Sequence, residues 1–209
     1  MRWASGPAFE ASLLKTDRYE SFAALAAQET CGVHYRVCIV DRRSPVVVLA
    51  PHGGTIETGT SMVAAAIARD DHSLYCFEGL CSGRLHSELH ITSNRFDEPQ
   101  ALKLVSAAKT AVAVHGRQDR TDPHTVWMGG RDLALRDAIA WSLARSGFLA
   151  ATDGHPLTGR LASNICNRGA SEAGVQLELP GTLRDDLARD AAALSRFSGA
   201  VRDVLANRR

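Results

Sequence analysis

His52 and Glu57 stand five residues apart with Gly53 and Gly54 between them, so one imidazole and one carboxylate can be brought to a single point. A neutral ring nitrogen and a carboxylate oxygen suit zinc. A catalytic site of that kind needs a third protein ligand and an open position for water. The two glycines allow the backbone to reverse without a Cβ clash, which lets Glu57 return toward His52. The plain alternative is a glycine-rich turn whose carboxylate caps the next helix. His115 repeats the pattern: it follows an apolar run and precedes Gly116. Alone it would read as a surface or hydrogen-bonded core histidine, but together the three residues favour zinc. Glu178 lies in Val175-Gln176-Leu177-Glu178-Leu179, whose alternation puts Gln176 and Glu178 on one strand face, toward either the same crevice or solvent. Asn164, Asn167 and Arg168 cluster between glycines, and Arg168 can pair with Glu172 or satisfy loop carbonyls. His90 sits in a polar stretch, residues 80–98, too long for a plain connector.

These residues need strands to carry them. Val46 to Ala50 is β-branched and aliphatic, short for a helix, and followed by Pro51, which fits a strand buried on both faces of a parallel or mixed sheet. His52 comes just after it, where open α/β sheets bind ligands beyond the carboxyl ends of their strands. The polar connector 41–45 suggests that Val37 to Val40 and Val46 to Ala50 form an antiparallel hairpin. Further strands are predicted at 73–79, 110–114, 125–130 and 175–180. Helices are predicted at 60–69, capped by Thr60 or Ser61, at 99–109 and at 132–146, closed by Gly147. A short first helix spans 16–25 behind a Thr16/Asp17 cap signal. A long tail helix covers 182–208, with Leu183, Leu187, Leu194, Phe197, Val201 and Leu205 on its apolar stripe.

The 209 residues show no internal repeat, linker or low-complexity tract, so a single domain, 1–209, is expected. The fold class is α/β: a mixed, mostly parallel sheet flanked by helices. A formal charge of +1, with acidic and basic residues dispersed, disfavours nucleic acid as an obligatory partner. The five cysteines have no CxxC spacing and read as structural thiols in a reducing compartment. Met1 to Glu10 lacks the apolar core of a signal peptide and no stretch is long enough to span a bilayer, so a cytoplasmic protein without membrane contact is expected, a monomer or small oligomer.

The blocks Ala50-Pro51-His52-Gly53-Gly54-Thr55-Ile56-Glu57, Tyr75-Cys76-Phe77-Glu78-Gly79, Leu89-His90-Ile91-Thr92-Ser93, Phe96-Asp97-Glu98-Pro99, Val114-His115-Gly116, Asn164-Ile165-Cys166-Asn167-Arg168-Gly169 and Gly174-Val175-Gln176-Leu177-Glu178-Leu179, taken in series, resemble the poly-gamma-glutamate hydrolase family of phages and bacilli. Some of its members are called phage-related replication proteins. The resemblance implies a zinc carboxypeptidase-like fold and an amidohydrolase acting on gamma-glutamyl bonds of a polymer or peptide. It implies His52, Glu57 and His115 as zinc ligands and Glu178 as the catalytic carboxylate. Arg168, with Asn164 beside it, suits a clamp on a substrate carboxylate, and the chemistry of His90 suits oxyanion stabilisation. Two alternatives differ in class: a carboxypeptidase or amidase acting on peptidoglycan or small peptides, and a non-catalytic binding or replication accessory protein.

Overall fold

Apolar runs too short for helices become strands, and the most apolar of them take the middle of the sheet. The computed structural model describes residues 17–206. In chain order the strands are β1 (Tyr35–Val40), β2 (Val46–Gly54), β3 (Ser73–Gly79), β4 (Thr110–Arg117), β5 (Val126–Gly130), β6 (Ala150–Ala151) and β7 (Val175–Pro180). The helices are α1 (Phe22–Ala26), α2 (Thr60–Ala68), α3 (Pro99–Ala107), α4 (Leu133–Arg145), α5 (Gly181–Arg189) and α6 (Ala191–Leu205), with 3-10 turns at His86–Glu88 and Ile165–Asn167.

All seven strands form one sheet, in the order β1-β3-β2-β4-β7-β5-β6. The central four, β3, β2, β4 and β7, run parallel, while β1 is antiparallel to β3 and β5 antiparallel to β7. Parallel strands must be covered on both faces. Here α2, α4, α5 and α6 cover one face over Val48, Val112 and Leu177, while α1, α3 and the turn at Ile165 cover the other over Val47, Leu49 and Ala113. Burying each such aliphatic side chain contributes about 1.5–3 kcal/mol. From β2 the chain moves out to β3 and then returns to the opposite side of β2 as β4. The strand order therefore reverses between β2 and β4, and the gap beyond their carboxyl ends is where such folds bind ligands.

The mostly parallel α/β sheet agrees with the sequence reading, and four local expectations are corrected. β1 and β2 do not form a hairpin: β1 takes an outer position against β3, with Tyr35 opposite Gly79, because both edges of β2 are taken by β3 and β4. Thr60 and Ser61 do not cap α2. Its N-cap is Gly59, and the Thr60 hydroxyl donates to Glu57 O instead. The tail is two helices, since the Asp190 carboxylate accepts from the amides of Ala192 and Ala193 and starts α6 afresh. Ser21 caps α1, freeing Asp17 for another contact. Met1 to Glu10, Thr16 and the last residues of the predicted tail helix lie outside the described residues.

Candidate metal centre

The turn after β2 folds Glu57 back by pinning itself to the end of β3. Thr55 N donates to Gly79 O at 3.0 Å and Glu57 N donates to His52 O at 2.8 Å. Gly54 makes this closeness achievable: its φ is +62°, and a Cβ there would lie 2.2 Å from Gly79 O. Gly54→Ala should therefore lower stability by about 2 kcal/mol or more through strain and clash together. An unchanged thermal midpoint would contradict this.

The returned Glu57 carboxylate has four imidazoles within 4 Å, those of His52, His86, His90 and His115. His52 Nδ1 lies 3.4 Å from Glu57 Oε1, His115 Nδ1 lies 3.9 Å from Glu57 Oε2, and the two Nδ1 atoms are 3.2 Å apart. His52, Glu57 and His90 also offer ligand atoms that all lie within 4.8 Å of one another. The far side of each ring is held. His52 Nε2 donates to Ile91 O at 2.8 Å, His115 Nε2 lies 3.3 Å from Ser93 Oγ, and His90 Nδ1 lies 2.6 Å from Asp17 Oδ1. Such outer partners orient metal-binding rings and fix their tautomers.

Charge follows from this packing. Burial opposes a charge on His52, but the Glu57 carboxylate outweighs it and raises the imidazole pKa. Burial would likewise raise Glu57, yet the charge and hydrogen bonds of the histidines, His52 first, hold it well below the usual carboxylate range. His115 falls to about 3, through burial and then the neighbouring His52 charge. A proton on His52 Nδ1 thus serves His115 Nδ1 and Glu57 together. Once His52 Nδ1 gives up that proton, a metal ion fits the same three atoms: tetrahedral zinc with ligand distances of 2.0–2.1 Å sets ligand atoms roughly 3.3 Å apart.

Glu178 is the register partner of His115 on the adjacent strand, so both side chains leave the same face of the sheet. Burial, with Glu57 adding to it and Arg117 opposing, pushes its carboxyl well above the usual range. Gln176 Nε2 donates to Glu178 Oε1 at 2.8 Å, and Asn164 Nδ2 donates to Gln176 Oε1 at 2.9 Å. Asn164, with its Oδ1 accepting from Cys166 N, is buried behind Glu178 with its amide engaged inside the protein. Arg168 is held by loop carbonyls: Nε donates to Ser163 O at 2.9 Å and Nη1 to Phe96 O at 3.4 Å. These contacts brace the guanidinium in its loop, and the clamp on a substrate carboxylate stands as a proposal: Arg168→Lys should raise KM for acidic substrates, and an unchanged KM would remove Arg168 from the site.

His90 is oriented against the oxyanion role. An ionised carboxylate only accepts, so Asp17 fixes the proton on His90 Nδ1 and leaves Nε2 a bare acceptor. Burial first, and then the charge of His52, hold this ring at about 4, which keeps it neutral near pH 7. Sequence reasoning missed Asp17, His86, Ser93, Gln176 and Arg184. His86 Nε2 stands 3.5 Å from Glu57 Oε1. Arg184 donates to Thr58 O and lies against Gly116, where a Cβ would come within 2.7 Å of its Cζ. Gln176, by its alternation with Glu178, and His86, four residues before His90, carried a local signal; the others depend on contacts distant in sequence.

Comparison with known proteins bears on the family and the fold. Over 178 residues the chain is 36% identical to the SPbeta prophage-derived UPF0714 protein YoqZ of Bacillus subtilis (strain 168), covering 84% of this chain and 63% of that protein, so it spans less than two thirds of that relative. The structure of a bacteriophage poly-gamma-glutamate hydrolase superposes with a TM-score of 0.85 at 31% identity, covering 92% of this chain and 98% of the other. A zinc-free apo structure of YndL gives 0.80 at 31% identity, with the same coverage of both chains. At 13% identity and a TM-score of 0.52, a putative carboxypeptidase from Burkholderia mallei, matched over 83% of this chain and 60% of its own, shares the fold alone. The poly-gamma-glutamate hydrolase family model matches residues 19–200, and the chain belongs to that family of hydrolases.

Proposed function

We propose that the protein is a zinc-dependent amidohydrolase that cleaves gamma-glutamyl amide bonds in poly-gamma-glutamate or in gamma-glutamyl peptides. The observation that carries this reading is the convergence of His52 Nδ1, His115 Nδ1 and the Glu57 carboxylate beside Glu178. The first three would hold the metal. Bound there, zinc supplies Lewis acidity at a carbonyl oxygen and acidifies water toward neutral pH. Glu178 takes the proton of the attacking water and delivers it to the departing amine nitrogen. Gln176 keeps the carboxylate aimed during both transfers, and Asn164 keeps Gln176 in place.

Because His52 must give up its Nδ1 proton to a metal, zinc affinity falls as pH drops below the raised pKa of that ring. Among the described residues no helix is long and apolar enough to cross a membrane. The five cysteines are all free, which supports a reducing, cytoplasmic setting as part of the proposal. The test is metal analysis of the purified protein, followed by chromatography of products from poly-gamma-glutamate and short gamma-glutamyl peptides. Stoichiometric zinc with release of shorter gamma-glutamyl products is expected. A zinc-loaded protein that cleaves neither substrate would move the reading to a binding protein.

A further inference from the structure

The stretch that carries the 3-10 turn His86–Glu88 is built toward Glu57 as carefully as the two strand ends are. His86 and His90 lie four residues apart, with ring centroids 4.3 Å apart, and the His90 ring is 4.0 Å from that of His52. Both Nε2 atoms face the same oxygen, Glu57 Oε1, at 3.5 Å from His86 and 3.9 Å from His90. Asp17 fixes the His90 tautomer through Oδ1, while its Oδ2 accepts from Thr92 N at 2.7 Å and lies 3.4 Å from Arg95 Nη2. A carboxylate behind an imidazole is the support that metal-ligating histidines commonly have.

The Nε2 atoms of His86 and His90, with Glu57 Oε1 between them, form a donor set suited to a divalent cation. The two oxygens of Glu57 have different neighbours, and Oε1 is shared between His52 and the outer pair, His86 and His90. Oε2 accepts from Gly116 N at 2.7 Å and faces His115, while Oε1 faces His86 and His90 as well as His52. We propose that Glu57 bridges two metal positions, an inner one with His52 and His115 and an outer one with His90 and His86. The outer position opens to solvent on the side of His86, whose side chain is 52% exposed. It would take a divalent cation of the zinc or cobalt type, since two imidazoles and a carboxylate are its donors. Two-metal sites with ions about 3.5–4 Å apart are a known way to hold both partners of a displacement reaction. The inference rests on reading this centre as a metal site, not on the identity of the substrate.

Titration of the metal-free full chain with Co²⁺, followed by absorbance and checked by elemental analysis, reads the positions directly. Wild type should take up two equivalents, the second more weakly. His86→Gln and His90→Gln should each take up one, and His115→Gln should lose the tighter of the two. Asp17→Asn should weaken the second equivalent by roughly 10 to 100-fold and leave the first unchanged. His86 lies at the surface, so its variant tests the proposal even if His90→Gln folds poorly. A single equivalent in wild type, two equivalents retained in both the His86 and His90 variants, or loss of all metal in folded His90→Gln would each overturn the outer position. A single equivalent abolished by His115→Gln would leave the proposed function standing without it, whereas a wild type that binds no metal would end both.

Discussion

Glu178→Gln should keep its fold and its metal and lose hydrolysis by roughly 10² to 10⁴-fold, the usual contribution of a general base. The side chain is buried beside His115 in the β4–β7 register, and it is not one of the atoms that face His52 Nδ1. An amide of the same shape still accepts the 2.8 Å hydrogen bond from Gln176 through its oxygen, so the packing is preserved. What it cannot do is carry a proton. Rate, metal content and thermal midpoint are to be measured on one preparation. A folded, metal-loaded variant with full activity would remove Glu178 from the chemistry.

His115→Ala and His52→Ala should each weaken the inner metal by more than about 100-fold, because loss of a ligand exceeds the 10 to 100-fold effect of losing an outer-shell partner. Hydrolysis should fall with it. The sharper readout is thermal. A metal present at about a thousand times its Kd adds about 4 kcal/mol to wild-type stability, so zinc should raise the wild-type midpoint far more than that of either variant, which keeps at most the weaker outer position. Equal midpoint shifts in wild type and His115→Ala would show that the ion sits elsewhere.

Much of the frame was legible because it is local. The β-branched run ahead of His52, the strand ending at Gly79 and the alternation around Glu178 each carry their own period, and the structure places strands at all three. Pairing was not legible. The connector 41–45 looks like a hairpin turn, but the partner of β1 is decided by competition for the edges of β2, which no local pattern records. The break at Asp190 was readable in principle as a capping residue, and the long apolar stripe on either side concealed it. Around the candidate site, His52 and His115 could be proposed from their strand ends, Glu57 from the glycine turn after His52 and Glu178 from the alternation of its strand, with the family resemblance supplying their roles. Asp17 could not, since 73 residues separate it from His90 and its value as a cap signal was the stronger local reading. Arg168 was drawn to the site by its chemistry alone, and chemistry without placement does not distinguish a clamp from a loop brace.

The Gly116 amide donates directly to the Glu57 oxygen on the His115 side, so a main-chain proton of β4 touches the group that would bind the ion. A ligand carboxylate that binds a cation becomes a weaker acceptor for that proton. The Gly116 amide is therefore a built-in spectroscopic probe: its ¹H resonance should move upfield as the centre fills, and its solvent exchange should report local opening between β2 and β4. Occupancy can thus be followed at one backbone position of ¹⁵N-labelled protein, with no substrate present.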